Sequence, residues 1–333
     1  MNILEYTKQV KDKVDKYLAG KIAGSLEVKK LYDASYHLIG AGGKRLRPTL
    51  VVLGARIVGE SEDKVIPAAA SVELLHTFSL IHDDIMDRDE FRRGVPTVHK
   101  LWGESIAILA GDLLFAKAYE AMLDEEKYGI PLERILAAVK ILTWIAITLA
   151  EGQTLDIEFV KRTNIGEEEY ITMVEKKTAA MFKGSLAIGA ILGGGENSIV
   201  ERLSEFGRLI GIAFQIQDDI LGITGDEKTL GKPVYSDLRE GKKTIIIVHA
   251  LNNASEKQRK TILTVLGNKN VTVEELRKVV EIIKSIGSIE YAAKKAKYYT
   301  LKALDILNTI PARDNKAKSL LKELATFIIE RRY

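Results

Sequence analysis

SVELLHTFSLIHDDIMDRD, residues Ser71 to Asp89, is the stretch on which the interpretation of the chain depends. Mostly apolar residues lead into an acidic run that contains Asp83 and Asp87. Residues four apart share a helix face, so these two carboxylates would stand side by side and repel each other. They also come late in the helix, since Gly94 and Pro96 soon follow, and acidic groups oppose the negative end of the helix dipole. The stretch predicts a helix whose acidic end needs a cation.

A second apolar helix pattern ends in the same way, in the run QDDI at residues 217–220. Two long helices with apolar stems and acidic ends suggest an apolar cavity with a mouth lined by carboxylates. Oxygen ligands without cysteine or closely paired histidines suit a hard cation such as Mg2+ rather than zinc. A lone Asp-Asp pair is more often a solvated helix end, but the second pair makes the metal interpretation about as probable as that alternative.

Clusters of basic residues are candidates for binding anions. Lys44 and Arg47 follow two glycines, which would let a phosphate come close to the backbone. Arg92 and Arg93 follow the first acidic helix, and adjacent side chains of an extended segment point to opposite sides, so each could serve a different anion. The remaining candidates are Lys176 and Lys177 before Thr178, and Lys228, Lys232, Arg239, Lys242 and Lys243 in the loop from Thr224 to Lys243. Each cluster alone is usually solvated surface, but together they would surround two diphosphates.

Apolar residues recur at helical spacing along nearly all of the 333 residues, and only six prolines interrupt them. We find no linker and no break in composition, so we expect residues 1–333 to form one all-α domain, a large helical bundle around a central apolar cavity. The expected helices are 2–19, 28–39, 47–58, 62–88, 104–126, 131–162, 167–192, 197–223, 243–252, 255–266, 272–286, 288–309 and 313–331.

Composition excludes several classes of protein. The 49 basic and 46 acidic residues leave a net charge of only +3, which does not favour nucleic acid or membrane surfaces as partners. The chain has no cysteine, which excludes disulfides and fits a reducing cytoplasm. Its longest uncharged apolar run, Ile141 to Ala150, is far shorter than the ~20 residues that span a membrane. The glycine-rich phosphate loops of nucleotide-binding proteins are absent.

Seven motifs, in order, resemble those of the trans-isoprenyl diphosphate synthases, and most closely the archaeal-type geranylgeranyl diphosphate synthases. The motifs read GGKRLRP, LLHTFSLIHDDIMDRDEFRRGVPTVH, GDLL, EGQTLD, KTAAMF, FQIQDDIL and GKPVYSDLREGKKT, and the resemblance as a whole extends from about Tyr32 to Arg332. The resemblance implies the isoprenoid synthase fold and a Mg2+-dependent homodimeric prenyltransferase. Such an enzyme condenses isopentenyl diphosphate with dimethylallyl, geranyl or farnesyl diphosphate, here to give mainly geranylgeranyl diphosphate.

The resemblance also implies roles for individual residues. Mg2+ would be held against the allylic diphosphate by Asp83, Asp87 and Asp218. That diphosphate would be bound by Arg92, Lys177, Lys232 and Lys242. Thr178 and Gln215 would lie near the carbon that ionises, with Gln153 and Asp156 as supporting partners. The diphosphate of isopentenyl diphosphate would be bound by Lys44, Arg47, His76 and Arg93. No side chain need act as general base, because the departing diphosphate collects the proton.

Product length is assigned to Phe78 and Ser79 by the resemblance, since bulk just before the first acidic motif blocks the growing tail. Each added CH2 contributes ~0.8 kcal/mol of transfer energy, so a steric stop is needed to end elongation. Phe78 lies about 140° around an ideal helix from Asp83, so this role rests on the resemblance alone. The second motif places Gly222 where many relatives have a third aspartate.

Several alternatives stay open. The product could be farnesyl or a longer prenyl diphosphate. A His-Asp phosphohydrolase could use His82 and Asp83, and would release phosphate without forming a carbon–carbon bond. A class I terpene cyclase would make a neutral hydrocarbon and has no use for a second diphosphate site. A non-catalytic subunit of a heteromeric synthase would be inactive when isolated.

Overall fold

The computed structural model describes residues 1–24, 26–225 and 235–330. The all-α prediction is confirmed, because two strands of two residues each are the only strands in these ranges. The helices are α1 (Ile3–Lys21), α2 (Lys29–Gly40), α3 (Leu46–Ile57), α4 (Ile66–Asp87), α5 (Val98–Trp102), α6 (Glu104–Leu123), α7 (Leu132–Val160), α8 (Glu167–Val174), α9 (Ala180–Leu192), α10 (Asn197–Thr224), α11 (Ser236–Glu240), α12 (Ile245–Asn253), α13 (Glu256–Val265), α14 (Val273–Ile286), α15 (Ser288–Thr309) and α16 (Asn315–Glu330).

The strands β1 (Phe91–Arg92) and β2 (Val95–Pro96) form an antiparallel ribbon that the sequence analysis did not predict. The expected helix 62–88 begins later, at Ile66, after a 3-10 turn over Glu62–Val65, and Pro67 falls in its first turn, where proline is tolerated. The expected helix 167–192 is interrupted by a π-helical turn over Glu175–Ala179.

The described chain divides into two compact units, and the first contains Met1–Ile147, Met181–Gly207 and Asp305–Leu324. Within it α4 packs against α1, α3 and α6. The apolar stem of α4 is fully buried, including Leu74 and Leu75, and burying a leucine contributes about 1.5–3 kcal/mol. This packing fixes α4 over most of its length and leaves its acidic end at the edge of the apolar core.

The second unit contains Thr148–Ala180, Arg208–Leu304 and the chain from Ala325. Its apolar core includes Tyr170, Ile212, Ile216 and Ile246. The β-branched run at the start of α12 is helical because Thr244 caps it, accepting a hydrogen bond from the amide of Ile247. The single domain and the central cavity expected for residues 1–333 stay predictions.

Two stretches, Glu62–Asp87 and Leu132–Val160, are long and apolar enough to pass a length-and-composition test for membrane spans. The most apolar window of the first is 72% buried inside the protein, as in the core helix of a globular protein. That of the second, α7, is only 33% buried. α7 therefore leaves apolar side chains at the surface.

Candidate active site

Asp83 and Asp87 lie in the last turn of α4, where the sequence pattern places them. α4 ends at Asp87 because Arg88 adopts a left-handed backbone, with φ of 60°. The last turn of α4 itself contains no basic residue to balance the helix dipole. Both side chains are partly exposed. The end of α4 is an acidic site that a ligand can approach.

The donor set at this helix end fits Mg2+. In the described part of the chain, no group of three histidine or acidic side chains is placed to hold a metal ion by itself. Mg2+ commonly takes one or two carboxylates and completes its octahedron with water and phosphate oxygens. Asp83 and Asp87, both carboxylates and partly exposed, are suited to that arrangement.

The ribbon after α4 carries the two adjacent arginines. Its turn uses Arg93 and Gly94, whose φ angles are 55° and 76°. Two consecutive positive φ values are those of a type I′ turn, which suits a tight hairpin. Arg92 belongs to β1, and the backbone reverses across Arg93 and Gly94, so the two arginines stand in different backbone conformations.

Arg92 and Arg93 have different partners, but because of a tight turn at Arg93 rather than the extended segment expected from the sequence. Arg92 donates to the buried carboxylate of Asp84 at the end of α4. Arg93 instead donates to the carbonyl oxygens of Leu38, at 2.9 Å, and Gly42. One arginine therefore lies beside the acidic motif and the other beside the glycine-rich loop.

Arg93 is part of a basic cluster at the start of α3. A Cβ atom on Gly43 would lie 3.1 Å from the Arg93 guanidinium carbon, so the missing side chain leaves room for it. Arg47, in the first turn of α3, donates to His76 Nε2 at 3.2 Å. Burial and the charges of Arg47 and Arg93 hold the pKa of His76 well below its usual value, so the ring is neutral and can accept. Lys44 precedes α3 and is exposed in the same loop.

Arg45 holds this loop in place, a role that the sequence analysis missed. Its buried guanidinium pairs with Asp15 and Glu73, each at 2.7 Å. Its backbone is left-handed, with φ of 49°, directly before α3. The one sequence signal is Glu73, an acidic residue inside an otherwise apolar helix stem.

Phe78 lies among aromatic side chains on the side of α4 that faces α6. Its ring centroid is 5.2 Å from that of Phe115 and 4.8 Å from that of His82. The neighbouring Ser79 donates to the carbonyl oxygen of His76 at 2.8 Å. The bulk assigned to product length is therefore packed against a second helix.

His82 does not form the metal centre that a phosphohydrolase would need. Its Nε2 lies 3.2 Å from the carbonyl oxygen of Ile108, in space left by Gly111, which has no side chain. His76 is engaged by Arg47 instead. The two nearest histidines of the sequence thus have separate structural partners.

In the second unit, two of the predicted diphosphate-binding lysines share one buried carboxylate. Lys177 Nζ and Lys242 Nζ lie 2.7 Å and 2.8 Å from Asp156 Oδ2. Burial alone would raise the pKa of Asp156, but the two ammonium groups overcome it and hold the pKa below its usual value. Gln153, its expected companion, is partly buried one turn earlier in α7.

The π turn that carries Lys177 and Thr178 lies directly against α7. A Cβ atom on Gly152 would lie 2.7 Å from the Lys177 Cα, so only glycine permits this approach. π turns inside helices often occur at functional sites. The EGQ motif therefore has a packing reason for its glycine.

Thr178 and Gln215 are in direct contact. Thr178 Oγ1 donates to Gln215 Oε1 at 2.8 Å, and Gln215 Nε2 donates to Asp219 Oδ1 at 3.0 Å. Asp219 also accepts from the hydroxyl of Tyr170 at 2.6 Å. Asp218 is partly exposed, whereas Asp219 is 4% exposed, so the two adjacent aspartates have different surroundings. No sequence signal singled out Tyr170.

Gly222, the departure from the aspartate-rich pattern, lies next to another carboxylate. A Cβ atom at Gly222 would be 2.8 Å from Asp237 Oδ2, on α11. The space that a side chain at residue 222 would enter is thus taken up by Asp237. Lys232, assigned to the allylic diphosphate, and the tail Arg331-Arg332 lie outside the described residues.

Comparison with known proteins places the chain in a family. The sequence matches the polyprenyl synthetase family over residues 28–283. It is 46% identical to the geranylgeranyl diphosphate synthase of Sulfolobus acidocaldarius, over 98% of this chain and 97% of that relative. It is 45% identical to the geranylfarnesyl diphosphate synthase of Aeropyrum pernix, over 92% of this chain and 96% of that relative.

Solved structures give the same result. The geranylgeranyl pyrophosphate synthetase of Pyrococcus horikoshii superposes with a TM-score of 0.91 at 42% identity, covering 99% of this chain and 98% of that one. The Corynebacterium glutamicum geranylgeranyl pyrophosphate synthase, solved with isoprenyl diphosphate and magnesium, has a TM-score of 0.90 at 29% identity, with 100% of each chain covered. The all-α fold and these matches define a prenyltransferase with the isoprenoid synthase fold. The chain belongs to the polyprenyl synthetase family, which confirms the resemblance drawn from its motifs.

Proposed function

We propose that this prenyltransferase is a Mg2+-dependent geranylgeranyl diphosphate synthase of the cytoplasm. The observation that carries the proposal is that Arg92 and Arg93 have different hydrogen-bond partners. Arg92 lies beside the acidic end of α4, and Arg93 beside the cluster of Arg47 and His76. Two basic groups, of which only the first lies beside the partly exposed aspartates Asp83 and Asp87, suit an enzyme that handles two diphosphates.

In the first unit, Asp83 and Asp87 would hold Mg2+ on the allylic diphosphate, with Arg92 as an additional cation. Lys44, Arg47, His76 and Arg93 would bind the diphosphate of isopentenyl diphosphate. A neutral His76 suits this role, because its Nε2 accepts from Arg47 and its other ring nitrogen can donate. Mg2+, when bound, would neutralise charge that develops on the departing diphosphate.

In the second unit, Asp218 would hold Mg2+, and Lys177, Lys232 and Lys242 would bind the allylic diphosphate. Asp156 keeps Lys177 and Lys242 together before substrate arrives. Thr178 and Gln215 would lie near the allylic C1 and present oxygen atoms to the developing cation.

The reaction would proceed by ionisation. The C1–O bond of the allylic diphosphate breaks, and its electron pair leaves with the diphosphate. The double bond of isopentenyl diphosphate then attacks C1, and the resulting cation loses a proton to the departed diphosphate. A water-poor pocket would protect the cation from hydrolysis.

Purified protein supplied with Mg2+, isopentenyl diphosphate and dimethylallyl, geranyl or farnesyl diphosphate should yield mainly the C20 prenyl diphosphate, identified by chromatography. A main product of C25 would favour the alternative that the Aeropyrum pernix relative suggests. A neutral hydrocarbon would indicate a terpene cyclase. Phosphate without chain elongation, or an inactive chain, would overturn the proposal.

Phe78→Ala should lengthen the product beyond C20. The substitution removes the ring that packs on Phe115, and elongation would continue because each buried CH2 contributes ~0.8 kcal/mol. Phe78→Leu, which keeps part of the bulk, should give a smaller shift in the same chromatographic assay. An unchanged C20 product from Phe78→Ala would show that Phe78 does not limit the tail.

We also propose that the enzyme is a homodimer. Ile108, Leu136 and Ile147 are 46%, 55% and 56% exposed. The hydroxyl of Tyr119 on α6 lies 3.3 Å from that of Thr143 on α7. Helical spacing places Ile108 on the same face of α6 as Tyr119. It also places Leu136 and Ile147 on the same face of α7 as Thr143. The exposed apolar faces of α6 and α7 are therefore adjacent, and a second copy of the chain would cover them.

Sedimentation should accordingly give twice the mass of the chain. The double variant Leu136→Glu/Ile147→Glu should shift the protein towards the monomer, because charged groups are unfavourable at a buried interface. Glu133→Gln, an exposed change on the same helix, should leave the mass unaltered. A wild-type monomer at assay concentration would contradict the dimer.

A further inference from the structure

The two aspartates of the second acidic motif differ in their hydrogen bonding. Asp219 is 4% exposed and accepts from three donors. These are the Tyr170 hydroxyl at 2.6 Å, Gln215 Nε2 at 3.0 Å and the Ile245 amide at 3.3 Å. Asp218 is partly exposed and lies about 100° around α10 from Asp219. Asp219 is therefore built into the second unit rather than presented at its surface.

Asp219 decides which way the Gln215 amide faces. A glutamine amide offers an oxygen acceptor at one end and a nitrogen donor at the other. Thr178 does not select between them, because its hydroxyl can donate or accept. Asp219 is the acceptor in all three hydrogen bonds, so it attracts Nε2 and leaves Oε1 turned to Thr178. Tyr170 and Ile245 hold the carboxylate that imposes this choice.

The orientation of Gln215 in turn sets the polarity of Thr178. With its hydrogen donated to Gln215 Oε1 at 2.8 Å, the Thr178 hydroxyl can present only lone pairs to any other group. A flipped amide would instead donate to Thr178 and turn the hydroxyl hydrogen outward. An outward hydrogen carries partial positive charge, which would disfavour a cation nearby.

We propose that Asp219 and Tyr170 are positioning residues, which fix the Gln215 amide so that Thr178 and Gln215 present oxygen lone pairs to the allylic cation. This inference rests on the proposed function, in which Thr178 and Gln215 lie near the ionising carbon. The two aspartates of the motif would have different roles, because Asp218 would hold Mg2+ and Asp219 would orient Gln215 and Thr178. Asp219 would contribute no bond to the metal.

Asp219→Asn tests the orientation, because its amide nitrogen can donate to Gln215 Oε1 and so reverse the Gln215 amide. We expect kcat to fall by about 100-fold, as when one oriented polar group is lost from a reacting site. The KM values for the two diphosphates and the Mg2+ concentration at half-maximal rate should stay within about 3-fold of wild type, a margin that corresponds to less than about 1 kcal/mol. Tyr170→Phe, a gentler change, should lower kcat with the same pattern.

A compensating variant separates orientation from general damage. In Asp219→Asn/Gln215→Glu, the asparagine amide can donate to one carboxylate oxygen of residue 215, and the other oxygen again faces Thr178. We expect this double variant to regain at least about 10-fold of the lost kcat, which is ~1.4 kcal/mol. Gln215→Glu alone places two carboxylates in contact and should be less active than the double variant.

Mg2+ binding measured by calorimetry, in the presence of inorganic diphosphate, gives a readout that does not depend on turnover. Asp218→Asn should weaken it and Asp219→Asn should not. Equal weakening by both variants would make Asp219 a metal ligand and overturn the proposal. So would an unchanged kcat in Asp219→Asn, or a double variant no better than Asp219→Asn. A wild-type protein that makes no prenyl diphosphate would instead refute the proposed function itself.

Discussion

Asp83→Asn is expected to lower kcat/KM for the condensation by about 1,000-fold, which corresponds to ~4 kcal/mol of transition-state stabilisation. Asparagine keeps the shape of the side chain but removes the charge that would bind Mg2+. The effect should be large because Asp83 and Asp87 lie one turn apart at the end of α4 and would share the metal. Steady-state rates with isopentenyl and farnesyl diphosphates, over a range of Mg2+ concentrations, measure it.

Glu90→Gln is the matched control. Glu90 is exposed and forms a surface ion pair with Lys100 at 2.7 Å, and such solvent-screened pairs contribute little. Its kcat/KM should stay within about 3-fold of wild type by the same reasoning. Melting temperatures should show that Asp83→Asn remains folded. Equal losses of activity in the two variants would reject the metal role of Asp83.

Gly152→Ala is expected to disrupt the second unit, although alanine usually favours a helix. In an open helical position the change would stabilise by up to ~1 kcal/mol. Here the new Cβ would lie 2.7 Å from both the Lys176 carbonyl carbon and the Lys177 Cα, whereas carbon atoms normally stay about 3.5–4.0 Å apart. Because backbone must move, we expect a loss of about 1–3 kcal/mol or more in the free energy of unfolding.

Activity should fall with stability in Gly152→Ala. The π turn carries Lys177 and Thr178, and a displacement of ~1 Å at a reacting site can cost about 100-fold in rate. Gly166→Ala is the control in the same unit, since its Cβ would meet only Glu169 Oε2 at an ordinary 3.6 Å. Denaturant unfolding and kcat measure the two effects. A Gly152→Ala protein as stable and active as Gly166→Ala would contradict the tight packing of α7 on the π turn.

The sequence predicted long elements well because helical periodicity is a local property. The acidic end of α4 also followed from local spacing, whereas the different partners of Arg92 and Arg93 come from a tight turn and not from the extended segment that was expected. α5 and α11 were missed because five residues are too few to show a period. The π turn was missed because the apolar helical pattern before Glu175 resumes after Ala179, and nothing in EKKTA signals a change of helix type.

Contacts between residues far apart in the sequence could not be predicted from the spacing of residues. Asp156 and Lys242 are 86 residues apart, and Tyr170 and Asp219 are 49 apart. Only the folded chain brings them together. The resemblance supplied roles for Thr178 and Gln215 but not the hydrogen bond that joins them, nor the carboxylate that orients it.

The pairing of Asp156 with Lys177 and Lys242 would affect the release of the product. Suppose that the two lysines had no other counter-ion. Departure of the diphosphate would then leave two ammonium groups in a partly buried place, where unbalanced charge is costly. Asp156 can take up both of them again as the product leaves, since it already lies within 2.8 Å of each. In the proposed role it acts as a competitor for the ligand, which lowers the affinity for diphosphate and so limits how long the product stays bound. The same carboxylate that prepares the lysines for substrate would thereby favour turnover.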